Sequence, residues 1–111
     1  MVEKKITKIQ WTRKAQKRLK EIKTYYKENA SESVADHIVS NIVVSVSKLY
    51  LYPDIGQVEL NLEDLPAIYR YLLEGHYKII YKHKGATIYI MTVFDCRQDL
   101  SKLLEDITSQ K

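Results

Sequence analysis

The stretch from His76 to Phe94, HYKIIYKHKGATIYIMTVF, decides the fold of this 111-residue chain. Apolar and polar residues alternate through HYKIIYKH, a Lys-Gly pair follows, and ATIYIMTVF continues as a second apolar run. Alternation with a period of two is typical of strands, and a tight turn containing glycine joins antiparallel neighbours. Apolar residues fall on both faces of the second strand, one face taking Ile88, Ile90 and Phe94 and the other Tyr89, Met91 and Val93. That pattern predicts a central strand with material packed on each side.

Two more strands are expected before this hairpin. AIYRYLL, residues 67–73, also alternates and ends at a Glu-Gly pair, so it extends the hairpin into a three-stranded antiparallel meander. KKITKIQW, residues 4–11, has a mixed alternating pattern that predicts a short first strand. The sheet is therefore assembled from both ends of the chain.

Two amphipathic helices are predicted between the first strand and the meander. Thr12 is a candidate N-cap, and apolar residues spaced by three and four run from Arg13 to about Asn29. Apolar residues with the same spacing predict a second helix from about Glu32 to Leu51. Pro53 and Gly56 then stop the helix and turn the chain. Because so short a turn separates the helices, they must fold back as a hairpin.

A short helix closes the chain. DLSKLLEDI places leucines and isoleucine at helical spacing, with Asp99 as the expected N-cap. The predicted order is β-α-α-β-β-β-α, an α+β fold in which the helical hairpin packs on one face of a small, mainly antiparallel sheet. The other face is expected to be partly free for a partner. Residues 1–111 are expected to form one domain.

Composition narrows the class of protein. Hydrophobic residues make up 45% and charged residues 29% of the chain, as in ordinary globular proteins. The single cysteine, Cys96, rules out an intramolecular disulfide and a cysteine-based metal site. No segment has the pattern of a signal peptide or membrane span, so we expect a cytoplasmic protein without a membrane partner. The scattered histidines and the lack of a glycine-rich phosphate loop predict neither a metal nor a cofactor.

Charge is unevenly distributed. Ten of the eighteen Lys and Arg residues lie between Lys4 and Lys27, where Glu21 is the single acid. From Asp54 to Glu74 there are five acids and one base, Arg70. The basic segment suits an acidic partner such as nucleic acid or an acidic protein segment. For a single basic helix, however, a solvated face is the more common explanation of such a segment.

A set of cations and tyrosines on the meander provides the candidate site. The predicted contact residues for a target or a partner protein are Arg70, Lys78, Tyr81, Lys82 and Arg97. Such a surface suits RNA phosphates and stacked bases, and it also suits an acidic peptide whose carboxylates are gripped by arginine. The same lysines on an exposed strand are also a common defence against aggregation.

The order of motifs resembles the RelE/ParE superfamily of type II toxin–antitoxin toxins. The resemblance lies in WTRKAQKRLKEIKTYY after the first strand, VSKLYLYPDIG at the end of the second helix, YRYLLEGHYKIIY, and IYIMTVFDCRQDLSKL. It covers nearly the whole chain. It implies a small, growth-arresting toxin of the plasmid-stabilising kind, neutralised by a cognate antitoxin, with operator DNA bound only through the toxin–antitoxin complex.

The resemblance leaves two targets open, DNA gyrase for ParE-like members and ribosome-bound mRNA for RelE-like members. On the RelE-like pattern, Lys78 and Arg97 fall on functional cation positions, but Leu103 stands where those toxins carry a C-terminal tyrosine. The missing tyrosine favours a ParE-like gyrase inhibitor. If the protein is instead an mRNA interferase, His76 or His83 could supply the proton. A third possibility is an inactive relic that only binds antitoxin.

Overall fold

The computed structural model describes residues 5–110 and confirms the α+β fold, with a five-stranded sheet at its centre. The strands are β1 (Lys8–Trp11), β2 (Gln57–Val58), β3 (Arg70–Glu74), β4 (Tyr77–Lys84) and β5 (Thr87–Asp95). They follow the order β1-β5-β4-β3-β2 in the sheet, in which β1 is parallel to β5 and every other pair is antiparallel. Strand β2 has two residues and was not predicted. The start of the predicted first strand, at Lys4, lies outside the described residues.

Residues 5–110 form the α-helices α1 (Arg13–Asn29), α2 (Glu32–Ser47) and α3 (Leu100–Thr108). Thr12 caps α1 as predicted, because its hydroxyl oxygen accepts from the Ala15 amide at 3.2 Å. The same hydroxyl donates to the Ile90 carbonyl at 2.9 Å, which fixes the start of α1 on β5. Helix α2 is shorter than predicted, since its last turn tightens into a 3₁₀ turn at Lys48–Tyr50.

The hairpin of α1 and α2 packs on one face of the sheet, as expected. Its contact surface is formed by buried residues of both helices, which meet the inward face of β4 and β5. The cluster includes Ala15, Ile22, Ile42, Val46, Leu49, Tyr77, Ile79, Tyr81, Ile88, Ile90 and Val93. This cluster takes Tyr77, Ile79 and Tyr81 of β4, so the residues that alternate with them face the other side of the sheet.

The opposite face of the sheet is more covered than predicted. Helix α3 and the segment between β2 and β3 lie over it and bury a second cluster, made of Leu62, Tyr69, Ile80, Met91, Phe94, Leu103 and Ile107. Asp99 caps α3 as expected, accepting from the Ser101 amide at 2.9 Å. The open part of this face is therefore confined to the end of the sheet near the β4–β5 turn.

A β-bulge in β5 corrects one predicted face. Ile80 pairs with Thr92 and Tyr81 pairs with Ile90, so Met91 is an extra residue in the ladder. After the bulge, Val93 packs with Ile90 against the helical hairpin and Phe94 packs against α3. The prediction that Phe94 shares a face with Ile88 and Ile90 was wrong because alternation fails at an unpaired residue.

Candidate functional site

Arg70 and Tyr81 both contact the loop that precedes β2. They are directly opposite in the β3–β4 ladder, so they share the face that carries the helical hairpin. Arg70 Nη1 donates to the Gly56 carbonyl at 2.9 Å, and its Nε lies 3.8 Å from the Asp54 carboxylate. Tyr81 is fully buried, and its hydroxyl oxygen accepts from the Gly56 amide at 2.9 Å. Tyr81 is thus a core residue and not the contact residue that the sequence suggested.

Lys78 lies on the other face of the sheet and is neutralised within the chain. It alternates with Tyr77 and Ile79, which face the helical hairpin. Its Nζ is 2.8 Å from Glu59 Oε1 and 4.3 Å from the centre of the Tyr71 ring. Glu59 is 3% exposed. The expectation that Arg70 joins Lys78 in one patch was therefore wrong.

Arg97 lies just beyond β5 and is held by Asp95. Its Nε and Nη2 donate to the two carboxylate oxygens at 3.0 and 2.8 Å, and its amide donates to Oδ1 at 2.9 Å. These hydrogen bonds from Arg97 lower the pKa of the Asp95 carboxyl. The Arg97 side chain is still 53% exposed, at a groove of about 420 Å³ between α1 and α3.

The two candidate histidines lie at opposite ends of β4. His76 is exposed at the β3–β4 turn, and its carbonyl accepts from the Cys96 amide at 2.8 Å. His83 Nδ1 is 3.0 Å from Asp54 Oδ1, and its Nε2 is 2.8 Å from the Gly85 carbonyl. At roughly 3.3 Å of rise per residue, their Cα atoms are about 23 Å apart along the strand. They cannot act on one reacting group.

An apolar groove on the outer side of the helical hairpin was not predicted. Its volume is about 540 Å³, and its floor and rim comprise Trp11, Gln16, Leu19, Lys20, Lys23, Val39 and Val43. The sequence signal was the uncharged run of ten residues, 38–47, in α2. A helix with so little charge is normally covered on more than one side, yet Val43 is 44% exposed. We call this site the hairpin groove.

Lys82 is in a third groove, of about 510 Å³, at the open end of the sheet face that carries α3. Its Nζ lies 5.7 Å from the centre of the Tyr89 ring. Within residues 5–110, no group of three His, Cys, Asp or Glu side chains is arranged to hold a metal ion. The helices of that part of the chain are too short or too polar to cross a bilayer.

Comparisons with known proteins agree with this architecture. Residues 9–100 match the family model described as the ParE toxin of the type II toxin–antitoxin system parDE. A solved structure of the chromosomal ParDE toxin–antitoxin system from P. aeruginosa is similar, with a TM-score of 0.68 and 26% identity. The match covers 81% of this chain and 96% of that one. Among curated proteins, none matches. The chain belongs to the ParE family of type II toxin–antitoxin toxins.

Proposed function

We propose that this ParE-family protein arrests bacterial growth by inhibiting DNA gyrase, and not by cutting mRNA. The proposal rests on one observation, that the two cations expected to act in RNA cleavage, Lys78 and Arg97, are each paired with a carboxylate of the chain. Cleavage requires cations aimed at phosphates together with a proton-transfer group at the same centre. Lys78 is paired with Glu59, and Arg97 is held bidentately by Asp95.

Of the two candidate histidines, His76 is at the Arg97 end of β4, where its carbonyl accepts from the Cys96 amide, but the cations beside it are paired. His83 is fixed between Asp54 and Gly85, at the end of β4 far from both Lys78 and Arg97. Tyr77 is near Arg97, but burial and a hydrogen bond to Tyr26 raise its pKa, which favours the neutral phenol. A gyrase inhibitor needs a binding surface and no nuclease chemistry, so this arrangement suits it.

We further propose that the hairpin groove binds the cognate antitoxin. The groove has an apolar floor between two helices, and its rim carries Lys20 and Lys23, the latter in an exposed ion pair with Asp36 at 3.6 Å. That combination complements an amphipathic segment with acidic residues along its edge. Arg97, the exposed member of the predicted contact set, is a candidate second contact. Operator DNA would then be bound by the antitoxin part of the complex, in the cytoplasm where gyrase acts.

Induction of the protein without its antitoxin separates the candidate targets. Gyrase inhibition predicts growth arrest with intact transcripts, an SOS response and gyrase-linked DNA breaks. Truncated transcripts without DNA damage would instead assign mRNA cleavage. Normal growth with a stable, folded protein would mean that only antitoxin binding remains.

Two valines of α2 provide a matched test of antitoxin binding. Val43→Asp places a charge in the hairpin groove, whereas Val34→Asp changes a similarly exposed valine outside it. With the product of the neighbouring antitoxin reading frame, we expect Val43→Asp to weaken the complex at least tenfold and Val34→Asp to leave it intact. Equal affinity of the two variants would reject this placement.

A further inference from the structure

Lysines of three neighbouring strands gather at the open end of the sheet face that carries α3. Lys82 of β4 is opposite Tyr89 of β5, and Tyr89 is opposite Gln10 of β1. One step further along, Lys84 is opposite Thr87, which is opposite Lys8. Directly opposite residues share a face. The structure therefore presents three lysines around a central tyrosine, and we call this surface the lysine platform.

The lysines of the platform form no ion pair with the residues that the structure describes. Within residues 5–110, the ion pairs involve other cations, namely Arg18, Lys23, Arg70, Lys78, His83 and Arg97. Lys8 and Lys84 are exposed, and Lys82 is half-buried against the Tyr89 ring. Like charges held close on one surface raise its positive potential and favour an anionic ligand.

The platform adjoins a groove that can accept a flat group. Tyr69, Tyr89, Gln10 and Gln110 line this groove of about 510 Å³ beside the lysines. Gln110 is fixed there, because its amide nitrogen donates to the carbonyls of Met91 and Asp106, both at 2.8 Å. The groove therefore has a polar wall at the end of α3 and aromatic rings on its floor.

We propose that the lysine platform binds single-stranded nucleic acid without sequence preference. Phosphates would contact Lys8, Lys82 and Lys84, and one base would stack near Tyr89. Lysine holds phosphate as a point charge, whereas recognition of peptide carboxylates favours the planar fork of arginine. Aromatic rings beside a basic groove are typical of sites that take single strands. This inference goes beyond gyrase inhibition, since the toxin itself would touch nucleic acid.

Fluorescence anisotropy with a labelled oligothymidine of about twelve nucleotides tests this inference directly. Each phosphate contact to a single strand contributes about 0.7 to the slope of log affinity against log salt. Changing Lys8, Lys82 and Lys84 together to Gln is expected to weaken binding at least tenfold and to flatten the slope by about two. The matched control changes Lys17, Lys20 and Lys27 of α1 to Gln, and we expect affinity within about twofold, because distant charges are screened.

A second variant tests the stacking contact. Tyr89→Leu keeps an apolar side chain but removes the ring, and we expect about tenfold weaker binding with an unchanged salt slope. The inference is overturned if no binding is measurable at about 50 mM salt, or if the α1 control loses as much affinity as the platform variant. It is also overturned if a polyglutamate peptide of equal length binds as tightly. Any of these results leaves the gyrase test unaffected.

Discussion

Arg18 of α1 and Asp106 of α3 form a bidentate ion pair, with Nε 2.9 Å from Oδ2 and Nη2 2.6 Å from Oδ1. The Thr92 hydroxyl of β5 donates to the same carboxylate at 2.8 Å, and Asp106 is 5% exposed. Burial disfavours the charged carboxylate, but hydrogen bonds from Arg18 and Thr92 outweigh it and lower the pKa of Asp106. This contact joins α1, the interior strand β5 and α3.

Removing Arg18 should destabilise the fold strongly. Arg18→Met leaves a buried carboxylate without its cation, and we expect the free energy of unfolding to fall by about 3 kcal/mol. Glu21→Gln is the control, because it removes the exposed partner of the same guanidinium at 2.7 Å and should cost less than about 1 kcal/mol. Urea unfolding of both variants measures the difference, and equal losses would contradict a structural role for Asp106.

Asp106 should also make stability depend on pH in the acid range. Its folded pKa is lower than its unfolded value of about 3.9, so its contribution is present above that value and is lost as pH falls through the folded pKa. We expect the Asp106→Asn variant to be less stable than the native protein at about pH 7. Between about pH 5 and pH 2 it should lose less stability than the native protein does. Urea titrations at each pH measure the free energy of unfolding. If this free energy falls with pH equally in the two proteins, another group causes the loss of stability in acid.

The pairing of Lys78 with Glu59 predicts a compensating double substitution. Lys78→Met alone leaves nearly buried Glu59 unpaired and should cost about 2 kcal/mol. Lys78→Met combined with Glu59→Leu should be within about 1 kcal/mol of the native protein. If Lys78 has only this internal role, the double variant still arrests growth. A stable double variant that no longer arrests growth would indicate that Lys78 contacts the target.

Gly56 should not tolerate a side chain. A Cβ there would lie 2.7 Å from the buried Tyr81 ring and 2.8 Å from the Tyr71 carbonyl, so the β2–β3 pairing must shift. We expect Gly56→Ala to cost more than about 2 kcal/mol. Gly75→Ala, at φ +58° with nothing nearby, should cost only about 1 kcal/mol. Thermal unfolding of the two variants measures their stabilities. A larger loss in Gly75→Ala than in Gly56→Ala would contradict the packing described for Tyr81.

Local signals in the sequence predicted the helices and the main strands well. Helix α1 was placed correctly, because Thr12 and the apolar spacing act within a few residues. Long-range contacts were missed, since nothing local pairs Arg18 with a carboxylate 88 residues away. The bulge at Met91 was also missed, because it depends on how β5 pairs with β4. It places Val93 and Phe94 on the faces opposite to those predicted.

The candidate site was predicted less well than the fold. Residue type identified the cations but not their partners within the chain. Arg70 and Lys78 therefore seemed free to bind a target, although Arg70 donates to the Gly56 carbonyl and Lys78 is paired with Glu59. Lys8 and Lys84 were overlooked, because the lysine platform exists only once β1 lies parallel to β5. Charge patterns along a chain do not show which cations the fold will neutralise.

The most direct test of the proposed function uses the purified protein with purified gyrase and relaxed plasmid, alongside ribosomes programmed with mRNA. We predict that supercoiling is inhibited and that cleaved DNA accumulates covalently linked to gyrase, while the mRNA stays intact. Cleaved mRNA together with unimpaired supercoiling would contradict gyrase inhibition and assign the protein to RNA cleavage.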